Sequence, residues 1–172
     1  MNKEQVQVFT KRISGGNRSE IIVVLFDIFF AYESETKEAL LEIQRAKEAR
    51  DYAKKIEATQ AYREGIRHAS MVLRHLEDDL DFRQDISNHL FTLYTYCERA
   101  LARATYKMDA SIFDQVEKIM GELREAFVEV AAADTSAPLM ANTEKYVAGY
   151  TYGRTDVKEM AVNFDISRGF LA

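Results

Sequence analysis

Asn17-Arg18-Ser19-Glu20-Ile21-Ile22-Val23-Val24-Leu25-Phe26-Asp27-Ile28-Phe29-Phe30-Ala31-Tyr32 decides the fold. Asn17 followed three residues later by Glu20 has the form of a capping box. The Asn side chain can accept from a backbone N–H of the first turn while the Glu carboxylate reaches back to the cap N–H. A long helix starts here. Its apolar positions, Ile21, Leu25, Ile28, Tyr32, Ala39, Ile43 and Ala46, recur at the three/four spacing of one helix face. Its first turns carry a second stripe of Val23, Phe26 and Phe30. A helix apolar on two sides is either buried on both or presents one to a partner. Asp27 interrupts the run, and a carboxylate among apolar side chains is a candidate for a raised pKa. With no partner evident, it reads as hydrogen-bonded to a neighbouring helix or to solvent. The run from Ile21 to Tyr32 falls well short of the ~20 apolar residues that cross a bilayer.

Upstream, residues 1–16 read as a flexible polar lead with a small apolar cluster, Val6, Val8, Phe9 and Ile13, ending in Ser14-Gly15-Gly16. No apolar secretory segment follows Met1, so the expected location is the cytoplasm. Downstream, no proline or glycine marks where the first long helix stops, and a break is expected between Arg50 and Lys54. A second helix carries Tyr62, Gly65, Ile66, Ala69, Val72, Leu73, Leu76 and Leu80. Gly65 within it costs about 1 kcal/mol against alanine and is expected to serve a close helix contact. After a turn at Asp81–Asp85, a third helix carries Ile86, Leu90, Leu93, Tyr94, Cys97, Leu101, Ala104 and Met108. Following Asp109-Ala110, with a cap expected at Ser111, a fourth carries Ile112, Val116, Ile119, Leu123, Phe127 and Val130. Four amphipathic helices on short loops predict an all-α protein: an antiparallel four-helix bundle over residues 17–133. Residues 134–172 read as an apolar C-terminal extension of short helices, near 142–148 and 156–162, or of extended segments.

Composition agrees. The 172 residues make about one domain. With 47% hydrophobic and 30% charged residues, the chain is globular in composition. One proline and seven glycines are too few for the turns of a sandwich or barrel. The net charge of −5 argues against nucleic acid as a partner. A single cysteine excludes an internal disulfide, and Cys97, on an apolar stripe, reads as a small core residue and not a nucleophile. His68, His75 and His89 follow Gly65, Val72 and Ile86 at three residues, so no Glu-x-x-His pair marks a di-metal site, and no metal or cofactor is expected. No phosphate loop, dinucleotide motif or nucleophile elbow is present, so the expectation is a protein that is not an enzyme.

What remains is apolar surface in excess of one bundle seam: the second stripe of the first long helix, Phe91, Tyr94 and Tyr96 on the third, and a tail containing Tyr146, Tyr150, Met160, Phe164 and Phe170. Either the tail packs on the bundle, or apolar channels receive partner helices.

The residues resemble a family. Glu20-Ile21-Ile22-Val23-Val24-Leu25-Phe26-Asp27 is similar to the Glu-Leu-x-x-x-Leu-Tyr-Asp segment that opens the first helix of FliS-type flagellin export chaperones. Leu93-Tyr94-Thr95-Tyr96, continuing through Leu101 and Ala104, resembles their Met-Tyr-x-Tyr-x-x-x-x-Leu-x-x-Ala helix, and Leu123-Arg124-Glu125-Ala126-Phe127 their Leu-Arg-x-Ala-Trp end. Leu73, Leu76 and Leu80 stand where their second helix carries leucines. The likeness runs from about residue 5 to 133. Phe26 replaces the usual tyrosine, Phe127 the usual tryptophan, and Phe9 stands nearest the tyrosine of the family's lead. Asn17-Arg18-Ser19 stands where members usually have Ala-Ser-Pro, and the tail from Leu139 has no counterpart.

The resemblance implies a cytoplasmic, non-enzymatic chaperone that binds the disordered C-terminal segment of flagellin, prevents its premature polymerisation and delivers it to the flagellar export gate. The expected groove residues are Val23, Phe26 and Phe30, Leu73 and Leu76, and Tyr94, Tyr96 and Leu101. The tail is expected to occupy the client groove, in cis or from a neighbouring chain, or to pack elsewhere. The competing expectation is a helical structural or regulatory module that forms homo-oligomers through the same faces, without a flagellin client.

Overall fold

The computed structural model describes residues 1–140, and the elements among them are all helices: α1 (Lys3–Gly15), α2 (Arg18–Glu48), α3 (Tyr52–Asp78), α4 (Asp85–Lys107) and α5 (Ser111–Ala133). The capping box that opens α2 forms as the sequence implies. Asn17 Oδ1 accepts from the Glu20 N–H at 2.9 Å, and Glu20 Oε2 accepts from the Asn17 N–H at 2.8 Å. The α2–α3 break falls at Arg50, whose φ of 56° is left-handed. There the Arg50 N–H donates to Lys47 O at 3.2 Å and the Asp51 N–H to Ala46 O at 2.9 Å. This pair of bonds closes helix ends that usually carry glycine. Asp51 then caps α3 by accepting from the Lys54 N–H.

Two boundaries differ from expectation. Within residues 1–16, where no helix was expected, Lys3–Gly15 is helical. Asn2 and Gln5 form a capping box of the same kind as Asn17 and Glu20. Ser111 does not cap α5. That place belongs to Ala110, which has no side-chain bond, while Asp109 Oδ1 accepts from both the N–H and the hydroxyl of Ser111.

α2 packs against α3 and α5, α4 packs against the same two, and α1 touches α2 alone among the helices. On α3 and α4, contacts descend one helix as they climb the other. The Tyr62 hydroxyl donates to Ala104 O at 2.7 Å and Arg74 pairs with Glu98 at 2.8 Å. The same holds for α2 and α5, where the Phe26 and Phe127 rings lie 5.4 Å apart and Lys37 meets Glu117 at 2.5 Å. The α2 seam facing the core is Phe26, Phe29, Glu33, Thr36, Leu40 and Ile43, at alternating spacings of three and four. Of the apolar face expected for this helix, Ile21, Leu25, Ile28 and Tyr32 are only half-buried, whereas Ala39, Ile43 and Ala46 are buried. From the other helices the core takes Tyr62, Ile66 and Leu73, then Tyr94, Cys97 and Leu101, then Phe113, Val116 and Met120. Ile86 and Val130, expected on apolar stripes, are exposed. The expected tail helices lie outside the described residues.

Gly65 makes the close contact anticipated for it. A Cβ placed there would stand 2.1 Å from Thr36 Oγ1 and 3.2 Å from Thr36 Cβ. Thr36 is fully buried and donates to Tyr32 O at 2.6 Å, so it has no room to yield. Gly65→Ala should therefore destabilise the fold by about 1–3 kcal/mol despite better helix propensity. Adding Thr36→Ala should restore part of the loss, as read by urea denaturation.

Candidate protein-binding surface

Six of the eight expected groove residues are buried, five of them in the core cluster and one, Val23, on the floor of a surface concavity. Val23, Phe26, Leu73, Leu76, Tyr94 and Leu101 are buried. Periodicity identified the apolar faces correctly, and those faces are spent on neighbouring helices. Phe30 is half-buried and packs edge-on against Phe29 at 5.7 Å. Only Tyr96 stands at the surface, 40% exposed, its hydroxyl donating to Gln115 Oε1 at 2.9 Å.

Apart from Val23, the accessible apolar surface is made by other residues. A concavity of about 410 Å³ opens where α1, α2 and α5 meet, floored by Val23 and Val24 and walled by Gly15, Gly16, Val128 and Ala131. Lys11 and Arg12 stand at its α1 side and Glu20 at its α2 side. Sequence reasoning missed Val24, Val128 and Ala131. The last two lie beside the expected α5 stripe, at i and i+3, and that offset was the available signal. The α3–α4 corner shows a second patch. Phe82 and Phe91 meet edge-to-face at 5.7 Å, and both are exposed, as is Ile86 in the first turn of α4.

The wall formed by α1 is lightly held. Only Ser14 of α1 is buried, while Val6 and Val8 face outward. Charged contacts fix its line along α2: the Met1 ammonium to Glu35 at 2.6 Å and Arg12 to Asp27 at 2.6 Å. Asp27 also accepts from Arg124 Nε at 2.6 Å, so this carboxylate joins α1, α2 and α5, and the neighbouring-helix reading of it holds. The far end of α5 is tied back to the α2 cap. Ser19 Oγ donates to Asp134 Oδ2 at 2.5 Å and Asn17 Nδ2 to Asp134 O at 3.1 Å. The Ser19 and Ser136 hydrogen bonds hold the Asp134 carboxyl down at about 2.

Opposite this surface, a polar group sits in the core. Glu33 is 3% exposed. Its Oε1 lies 3.3 Å from Lys37 Nζ and has no hydrogen bond among the described residues. Burial pushes its carboxyl up to about 7 against the pull of Lys37, and Glu117 and Asp114 add to the rise. Burial, with the Glu33 charge adding, likewise pushes the Cys97 thiol up to about 12, which suits a core side chain. Tyr32 stacks on His68 at 4.8 Å. No cluster of three or more His, Cys, Asp or Glu that could hold a metal occurs among the described residues, and no described helix is long and apolar enough to cross a membrane.

An all-helical scaffold with apolar concavities flanked by charge defines a helical protein-binding module. The family is specific: the flagellar protein FliS family model matches residues 5–134, and the chain belongs to that family of flagellar export chaperones. No curated protein matches the chain.

Two outcomes check the buried chemistry. The Glu33 carboxyl titrates near 7 in the fold and near 4.3 when unfolded. Its contribution to stability is therefore full at acid pH and is lost as pH rises through 7. Glu33→Gln should raise stability by about 2 kcal/mol at pH 8 and by little at pH 5, as read by thermal unfolding. Cys97 should resist thiol reagents at neutral pH in the native protein and react fully in urea.

Proposed function

We propose that this protein is a cytoplasmic export chaperone whose client is the disordered C-terminal segment of flagellin. In this reading α2–α5 form an antiparallel four-helix bundle, residues 17–133 are the client-binding unit, and the bound segment is kept from polymerising and handed to the flagellar export gate. The observation that carries the reading is the family match over residues 5–134. The geometry supports it in a specific way. The concavity beside α1 is apolar along its floor, and α1 touches no helix but α2. A client helix can lie on Val23, Val24 and Val128 as α1 tilts away, exchanging one lightly packed helix for another. Folding of the client on binding spends much of the burial energy on ordering the chain. That keeps a large apolar contact releasable, as delivery for export requires.

Isothermal titration of the full chain with a flagellin C-terminal peptide tests this. Binding should be accompanied by a negative heat-capacity change and a gain of peptide helicity. Val128→Glu, at a position 39% exposed, should weaken binding at least about tenfold with the helical spectrum unchanged. No binding by the unsubstituted protein would overturn the client assignment, and full binding by the variant would move the site off α5.

A further inference from the structure

Away from the α1–α2–α5 concavity, the first half of α3 carries a face that no described helix covers. Tyr52, Ile56, Thr59 and Arg63 follow one another at spacings of four, three and four, the seam along which a second helix packs. Tyr52 is 75% exposed and Ile56 69%. The hollow along them measures about 610 Å³ and is bordered by Lys55 and Arg67. On a chain of net charge −5, this one stripe gathers three cations, Lys55, Arg63 and Arg67, against the single acid Glu64. The chemistry that fits is an amphipathic helix with an apolar face and an acidic flank.

We propose that residues 155–164 of this same chain dock on α3 as that helix. These residues lie outside the described part of the chain, and their sequence has the required pattern. Val157, Met160, Ala161 and Phe164 fall at i, i+3, i+4 and i+7, with Asp156 and Glu159 beside them. The chain can also reach. The Leu139 N–H donates to Gly16 O at 3.2 Å, so the segment sets out beside the α2 cap. Gly65 lies against Thr36, which places the α3 stripe alongside the second half of α2. At 1.5 Å per helical residue that is roughly 30–50 Å from Asn17, with Thr59 nearer than Tyr52. The residues from Met140 to Thr155, extended, span about 50 Å. Running antiparallel to α3, Val157, Met160 and Phe164 then cover Thr59, Ile56 and Tyr52, while Asp156 faces Arg63 and Glu159 faces Lys55. The proposal goes beyond the client reading and does not depend on flagellin.

The chain has no tryptophan, so Ile56→Trp in the full-length protein is a single reporter at an exposed position. Its emission should be blue-shifted and poorly quenched by acrylamide. Both properties should be lost when Met160→Glu and Phe164→Glu are added, with the helical spectrum of the folded protein retained. The blue shift should be independent of protein concentration. Arg63→Glu in the reporter protein should cause a red shift, and Asp156→Arg should reverse it. Emission unaffected by the tail substitutions would overturn the proposal. A blue shift that disappears on dilution would assign the occupant to a second copy and overturn docking in cis. Insensitivity to Arg63→Glu would overturn the charge-matched register. None of these readings uses a client peptide, so failure here leaves the flagellin titration to stand or fall by itself.

Discussion

The close approach of α2 and α3 at Thr36 and Gly65 governs the rest of the fold. A helix face with no side chain beyond Cα lets a neighbouring backbone come near, and here the partner atom is a buried threonine hydroxyl. That contact fixes the rotation of α2 about its axis. The seam Phe26, Phe29, Leu40 and Ile43 follows inward, and Glu33 is carried into the core with it. A buried carboxylate costs stability unless paired; Lys37 bridges Glu33 and Glu117 and offsets only part of that cost, so burial still raises the Glu33 carboxyl. One glycine thus sets the α2–α3 spacing, and the polar residues that come with it set where α5 lies.

The binding surface follows from what this packing leaves over. α2 spends one face on α3 and α5 and lends another to α1, and the loan is light. α1 buries a single serine and relies on charged contacts to Asp27 and Glu35. Asp27 is the shared anchor, since Arg124 of α5 holds it as well. Arg124 thus holds Asp27 against α5 independently of the contact that Arg12 makes from α1.

Much of this was legible in the sequence. The Asn17–Glu20 box, the 109–111 break and the role of Gly65 are local rules and hold in the fold. Cys97 reads as core on its stripe alone. The α1 helix carried the same signal in Asn2 and Gln5, but the polar composition of the lead and the Gly15-Gly16 pair outweighed it. The α2 seam was hidden because two of its positions are Glu33 and Thr36, which no apolar pattern selects. The α2–α3 turn lacks glycine because Arg50 takes the left-handed conformation itself. Most of the residues expected in the groove are buried for a deeper reason. Periodicity tells which face of a helix is apolar, whereas whether that face meets a sister helix or open space is a property of the assembled fold. Tyr96 and Tyr94, two residues apart, end on opposite sides of that distinction.

The hydrogen bond from Leu139 to Gly16 joins the exit of the described chain to the pivot between α1 and α2. Asp134 clamps the same spot through Asn17 and Ser19. The last described residues are therefore fastened to the glycine pair at the root of α1 as well as to the end of α5. One small knot of polar bonds thus holds three chain segments together: the close of α1, the opening of α2 and the stretch that follows α5.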